Sequence, residues 1–403
     1  MFMGLIKNEF IKLFSKKKTY IILFLFIALS GVFVAVNEVS ENNYLKYNSP
    51  KYRISTMEEN IKYQKEYIDS IQNDETLSKE DKAKEIASAK ESLSFMELTL
   101  AELKKSMINE SEIDWKKDAQ AQLDALNEEY KTANEKNKAY LQKDIDRLQI
   151  HIDHNIPLDE ANLNKGFNYL LLNIVIVASG FLAFGLILFN ADSVSTEYNP
   201  GTLKFLLIQP VTRVKVLLSK YIVMIISSLI LIIITQLLFC LGVGVIKGFG
   251  SLNRPILAGY QYEFVVEFGR KVLKEIPNSA RYIPLSEFLL KAFLLEGTFI
   301  IVMVSFIFMI STISKSSVIA MTITIGALLG TNIIYMLSTT YRSLSPYIFF
   351  HFTNIEAIIT GTIVQETRAL QFTINNVIIV SIISSIVFIL VALGIFKKRD
   401  IQI

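Results

Sequence analysis

Six stretches of this chain carry almost no charge, and each is long enough to cross a bilayer as a helix. They are Thr19–Val36, Phe167–Phe189, Tyr221–Ile246, Ala292–Ile313, Val318–Leu337 and Val377–Phe396. The shortest, at 18 residues, gives about 27 Å of helix at 1.5 Å per residue, near the lower limit for a hydrocarbon core. Inside lipid a backbone must satisfy its own N–H and C=O groups, so runs of this kind have one low-energy solution, the helix. The predicted fold class is an all-α polytopic membrane protein with six transmembrane helices. A cleavable leader is not expected, because Asn37-Glu38 follows the first run with no small-x-small site.

Composition sharpens this. Of 403 residues 51% are hydrophobic and 20% charged, with a mean hydropathy of +0.39. The net charge of +3 hides a segregation. Glu38 to Lys165 holds 27 acidic and 19 basic residues, a net of −8, while the remainder holds 11 and 22, a net of +11. An acidic, water-loving insert therefore interrupts a basic, membrane-like chain. Cys240 is the single cysteine, which rules out an intrachain disulfide and argues against cysteine-based metal sites. A soluble enzyme, a disulfide scaffold and a nucleic-acid-binding domain all fit poorly.

Lysine and arginine near the span ends set the expected orientation. They gather in Met1–Lys18, Asn190–Lys220, Ser314–Ser317 and Lys397–Ile403, which places both termini in the cytoplasm of a plasma-membrane protein. The predicted layout follows. Residues 1–18 form a cytoplasmic amphipathic interfacial helix, with Phe2, Ile6, Phe10 and Leu13 on one side and Lys16-Lys17-Lys18 at headgroup depth. Residues 37–166 form an extracellular helical domain and 190–220 a cytoplasmic coupling loop. Residues 247–291 make an extracellular loop, 338–376 an extracellular or re-entrant segment, and 397–403 a cytoplasmic tail.

The insert carries helical periodicity. Ile54, Met57, Ile61, Ile68 and Ile71 follow a heptad, as do Ile86, Leu93, Leu100 and Met107. Ser78 with Asp81 is a helix start. A third helix is expected from about Ile113 to Ile152, so the insert reads as an antiparallel, coiled-coil-like arm standing off the membrane. Contact with another subunit and capture of a ligand are both open roles for it. In the second outer loop, Tyr260, Tyr262, Phe264, Val266 and Phe268 alternate as a short strand would.

Catalytic chemistry is sparse. The chain has no phosphate-binding G-x-x-x-x-G-K-[ST], no H-E-x-x-H and no G-x-S-x-G. His151 and His154, one turn apart near Asp153, lack the further ligands a metal needs and read as an exposed helix end. Glu296 is the intramembrane polar candidate; its place near Lys291 favours interfacial snorkelling or a structural pair over a substrate or proton role. Asn173, Gln236 and Asn332 read as helix–helix contacts. Gly326 and Gly330 form a GxxxG face in the fifth span, a candidate dimer-packing surface that packing within the chain explains equally well.

The informative stretch is Glu197-Tyr-Asn-Pro-Gly201-Thr-Leu-Lys-Phe-Leu-Leu-Ile-Gln-Pro210-Val-Thr-Arg213, continuing to Lys220. It predicts a short helix from about Thr202 to Gln209, punctuated by Pro200-Gly201 and stopped by Pro210. Leu203, Leu206 and Leu207 share a face that a short loop cannot bury by itself, which points to a docking helix.

The pattern E-x-x-x-G-T-L-x-x-L-L-x-x-P-V-[ST]-R resembles the coupling segment of type-2 ABC exporter permeases, six-span subunits that work with a separate ATPase. Glu197, Gly201, Thr202, Leu206, Leu207, Pro210, Arg213 and Lys220 match it. The resemblance spans all six apolar runs but not the helical insert. It implies a permease that is not itself an enzyme and binds no cofactor; ATP and Mg would be held by a cytosolic ABC ATPase dimer, into which the loop helix docks. It further implies a second permease subunit, the same chain or a relative, besides membrane lipid as a partner; no nucleic acid is expected. The cargo would be amphipathic: a peptide antibiotic, a lipid-like molecule or a drug. Small-cation efflux ranks below this because the spans lack rows of acidic residues. A membrane-anchored sensor or scaffold would leave the Pro-bounded segment unexplained.

Overall fold

The structure, a computed structural model, describes residues 2–74, 78–108, 115–198 and 212–398. Six of its helices are long and apolar enough to cross a membrane: α2 (Lys17–Asn48), α7 (Gly166–Asn190), α8 (Arg213–Lys247), α9 (Leu285–Ile313), α10 (Ser317–Leu337) and α14 (Ile374–Lys398). They coincide with the six apolar runs. Three overshoot them by seven residues or more: α2 continues twelve past Val36, α8 begins eight before Tyr221 and α9 begins seven before Ala292. These polar extensions place charged side chains at defined heights beyond the apolar segments.

Helix α9 is the central column. Phe299, Ile300, Val302, Met303, Val304, Ile307 and Phe308 are all inaccessible, and α14, α8 and α7 pack around it. By contrast α10 and α14 leave most of their length open, as helices facing lipid do. Close crossings depend on small residues. A Cβ on Gly166 would lie 2.8 Å from the Cys240 carbonyl oxygen, and one on Gly244 would run into the Phe249 ring. Only glycine lets α7 and α8 approach this closely.

The insert is two hairpins rather than one arm. The first pairs α3 (Pro50–Asn73) with α4 (Lys79–Ile108). Ile61, Ile68, Ile71 and Ala89 are buried, and Lys65–Glu97 and Lys104–Glu58 bridge the two helices. The Ser78 hydroxyl accepts from the Asp81 N–H at 3.1 Å, the helix start the sequence predicts. The expected third helix is broken in two, α5 (Trp115–Thr132) and α6 (Glu135–Asp153). Asn134 caps the restart, its side chain accepting from the Asn137 N–H at 2.9 Å. Ala119, Leu123, Leu148 and Ile152 then form a small core of their own.

This second hairpin does not stand free. It sits on strands of the loop after α8, where β1 (Pro255–Ala258) pairs with β4 (Arg281–Pro284) and β2 (Tyr262–Glu267) pairs with β3 (Arg270–Glu275), both antiparallel. Lys143 of α6 reaches Glu275 at 3.2 Å and lies 5.3 Å from the centre of the Tyr260 ring. The alternation at Tyr262–Val266 is thus a real strand, ended by a turn in which Phe268 and Gly269 both take positive φ.

Between α10 and α14 the chain folds as short helices, α11 (Thr339–Leu344), α12 (Ile355–Thr360) and α13 (Ile363–Thr367), joined by 3₁₀ turns. Phe349 and Phe350 pack on Phe306 of α9 at 5.5 and 5.3 Å. The segment is part of the core, not a solvated loop.

Each hairpin should depend on its own core. Ile68→Ala is expected to cost roughly 2–5 kcal/mol, opening the first hairpin to protease while the spans and the second hairpin stay intact. Leu123→Ala should do the reverse. Simultaneous loss of both hairpins in either variant would contradict two independent units.

Candidate functional site

Three polar assemblies stand out in the bundle: a base on the side of helix α1 (Phe2–Ser15), a latch at the opposite ends of the spans, and one carboxylate between them.

The base surrounds the segment predicted to couple. Residues 199–211 lie outside the described residues, and with them Gly201, Thr202, Leu203, Leu206, Leu207 and Pro210. Both flanks are described. On one side the chain leaves α7 through the 3₁₀ turn Ser195–Tyr198, which includes Glu197. The Ser311 hydroxyl of α9 accepts from the N–H groups of Val194 and Ser195 at 3.2 and 3.1 Å, pinning this exit to the central column. Asp192 binds Lys18 at 2.5 Å and lies 3.6 Å from Lys16. On the other side Arg213 opens α8. Lys220, about two turns further on, is only 5% exposed and meets Glu9 of α1 at 2.7 Å. Leu5 and Val216 are buried together beside them, with Phe2 against them.

The amphipathic N-terminal helix therefore turns Leu5 and Glu9 onto α8. Sequence reasoning found its apolar side but not this partner, because the pairing of Glu9 with Lys220 spans 211 positions.

The latch gathers the far ends of α2, α7 and α8. Lys247 binds both Glu38 and Glu41 at 2.5 Å. Asn164 donates its backbone N–H to Glu41 at 3.2 Å and its amide to Glu38 at 3.0 Å. Lys165 donates to the Lys247 carbonyl at 2.8 Å, and Glu160 accepts from the Ser251 N–H. Burial pushes the nearby Arg254 down from its ordinary pKa, with the Glu160 charge opposing. The charges that end the insert thus bolt it to the spans.

Glu296 is not a snorkelling residue. It is 1% exposed and points into the bundle, where Gln236 of α8 donates its amide to one carboxylate oxygen at 2.8 Å. Lys291, the expected neighbour, instead pairs with Glu287 at 2.7 Å, four residues back along the helix. Of the two expected roles, snorkelling and a structural pair, Glu296 takes the second, with Gln236 as its partner, because helical phase puts it on the face of Phe299 and Met303. Asn173 likewise bonds within the bundle, to the Tyr169 hydroxyl at 3.0 Å. Asn332 turns back on its own helix, to the Leu328 carbonyl.

Two further candidates change character. His151 is buried, its Nδ1 2.9 Å from the Ile156 carbonyl oxygen, so it closes the end of α6 instead of lying on an exposed end. Among the described residues no group of three His, Cys, Asp or Glu side chains could hold a metal. Gly326 and Gly330 have open space where a Cβ would stand: none of the described residues packs there.

The family model described as ABC-2 family transporter protein matches residues 3–401. The chain belongs to that family. It is a membrane permease subunit of an ABC transporter, a class that works with an ABC ATPase and is not itself catalytic. The chain is also similar to a Bacillus subtilis (strain 168) protein named uncharacterized protein YhcI, 26% identical over 299 residues, which cover 72% of this chain and 86% of that one. No solved structure matches it.

The base and the buried carboxylate yield two tests. A double-mutant cycle on Glu9→Gln and Lys220→Met should return a coupling of roughly 0.5–3 kcal/mol in thermal unfolding of the purified permease; additive effects would remove the pair from the account. Glu296→Ala should cost about 1–3 kcal/mol more than Glu296→Gln, since the amide keeps a partner for Gln236. Equal losses would show that only side-chain volume matters there.

Proposed function

We propose that this ABC-2 permease subunit exports an amphipathic substrate, a peptide antibiotic, lipid-like molecule or drug, driven by a cytosolic ATPase dimer. ATP and Mg belong to that partner. The observation that carries the reading is the Pro-bounded segment from Gly201 to Pro210, strung between two flanks that are anchored to α9 and α1. A docking helix held in this way would pass ATPase closure directly to the spans. In this reading Leu203, Leu206 and Leu207 enter a groove on the ATPase, while Glu197, Gly201, Thr202, Pro210 and Arg213 set the helix's start, stop and approach.

Both termini, the base and the coupling segment lie in the cytoplasm, and the insert and strands lie outside. A second permease subunit completes the path, and the open Gly326–Gly330 face of α10 is the contact we assign to it. Small-cation export is disfavoured because Glu296 is the single carboxylate within the six apolar runs.

Cysteines introduced singly at Ser88 and Ser15, both exposed, should label oppositely with an impermeant reagent on intact cells; equal labelling would sink the topology. The coupling role is tested by Leu206→Asp with Leu207→Asp. Placing two carboxylates in a desolvated contact costs several kcal/mol, enough to weaken ATPase association by orders of magnitude. Expression and insertion should survive, while copurification of the ATPase and ATP hydrolysis by the complex should collapse. A double mutant that keeps both would overturn the proposal.

A further inference from the structure

A cavity of about 520 Å³ lies between the strand layer and the short helices that precede α14. Roughly 300–1,000 Å³ is the range of small-molecule sites. Its floor is apolar and fully part of the core: Ile358, Ile359, Val364 and Phe372. Its rim is polar but uncharged, with Gln261, Thr373 and Asn375 exposed. None of its lining residues is Asp, Glu, Lys, Arg or His.

The two walls are fastened, so the space is built into the fold. Gly259 and Tyr260 both donate their N–H groups to the Thr360 carbonyl, at 2.9 and 2.8 Å. Gly361 takes φ 89°, and a Cβ there would collide with the Tyr260 carbonyl. Glycine at 361 is required twice over, by conformation and by contact. The strand turn is thereby clamped to the end of α12, and the cavity stays open beside it.

One wall carries an unanswered polar group. Tyr262 is 8% exposed, yet its buried hydroxyl has no hydrogen-bond partner; Gln365 lies nearby without reaching bonding geometry. Burial, with Glu275 and Tyr260 adding, pushes its pKa up, so the hydroxyl stays a neutral donor. A buried hydroxyl without a partner loses free energy that a ligand acceptor would restore. Immediately beyond the cavity α14 exposes Ile379, Ile382, Ile383 and Ile386, a lipid-facing surface from which an apolar chain can enter.

We propose that this cavity binds a single-chain amphiphile with an uncharged, acceptor-bearing head, its chain on Ile358, Ile359, Val364 and Phe372 and its head between Tyr262 and the rim amides. The site would stand at the insert side of the spans. The inference rests on the transporter reading only for its biological meaning; binding itself needs no ATPase.

The test uses the purified full chain in phosphatidylcholine nanodiscs and a diazirine-bearing monoacylglycerol, with labelled peptides identified by mass spectrometry. Label is expected at Ile358–Val364 and Leu370–Ile374, displaced by unlabelled monoacylglycerol. Tyr262→Phe should weaken binding roughly two- to tenfold, the worth of one hydrogen bond. Asn375→Trp, at an exposed rim position, should block entry without disturbing the core, and unchanged thermal unfolding would confirm that the fold is intact. Label confined to the exposed faces of the spans, or undiminished in both variants, would overturn the proposal. So would equal occupancy by a diazirine phosphatidylcholine, which marks a bilayer-lipid groove, or equal competition by an anionic acyl phosphate. Because no ATPase is present, failure here leaves the coupling segment's role standing. Retained ATPase binding and hydrolysis in the Leu206/Leu207 variant, with label intact, would be the converse failure.

Discussion

Charge cannot be left alone in a bilayer, and the architecture of this permease follows from that. The six apolar runs satisfy their own backbones as helices, and apart from Glu296, which is buried against Gln236, the ionisable groups that join them sit at their ends. At one end Asp192 holds Lys16 and Lys18, and Glu9 holds Lys220. At the other, Glu38 and Glu41 hold Lys247. Only Glu9–Lys220 is largely buried on both sides, so breaking it would strand a charge; the others are partly exposed and contribute little stability individually. Their structural effect is register: each fixes how far one helix slides along another.

The two ends differ in what they join. The latch ties α2, α7 and α8 to the two ends of the insert. The base ties α1 to α8 and the end of α7 to α9, on either side of residues 199–211. Between them α9 is buried through its middle, from Phe299 to Phe308 apart from Ile301 and Phe306, and Glu296 with Gln236 and Tyr221 with Ser305 are among its polar contacts. A displacement at the base therefore has a stiff route through α9, which also borders the short helices beside the amphiphile cavity. Close-packed interiors shift between discrete arrangements more readily than they deform.

Much of this was legible in advance, and the misses share a cause. The spans, the first hairpin and the Ser78 start are local patterns, written in hydropathy, heptads and a cap. The strand at Tyr262 was visible as alternation. What failed was anything set by distant partners. The break at Asn134 is signalled only by an N-cap residue inside a continuous apolar repeat, and the repeat outweighed it. Glu296 was judged by its distance from Lys291, whereas its rotation about the helix axis aims it at Gln236, sixty positions away. Glu9 and Lys220 each look like an ordinary charge at a helix end until the fold brings them together. The cavity arises from Gly361 and Tyr260, separated by a hundred residues and a strand layer.

The central claim is that α1 and the start of α8 move as one body during coupling. It is tested by joining them. Leu5→Cys and Val216→Cys, introduced at a buried contact with the native Cys240 replaced by Ala, would place a disulfide across the base. In the reconstituted complex with its ATPase, the account predicts full cross-linking and undiminished ATP hydrolysis and transport. Activity abolished by the cross-link and restored by reductant would show that the two helices must part, and would contradict it.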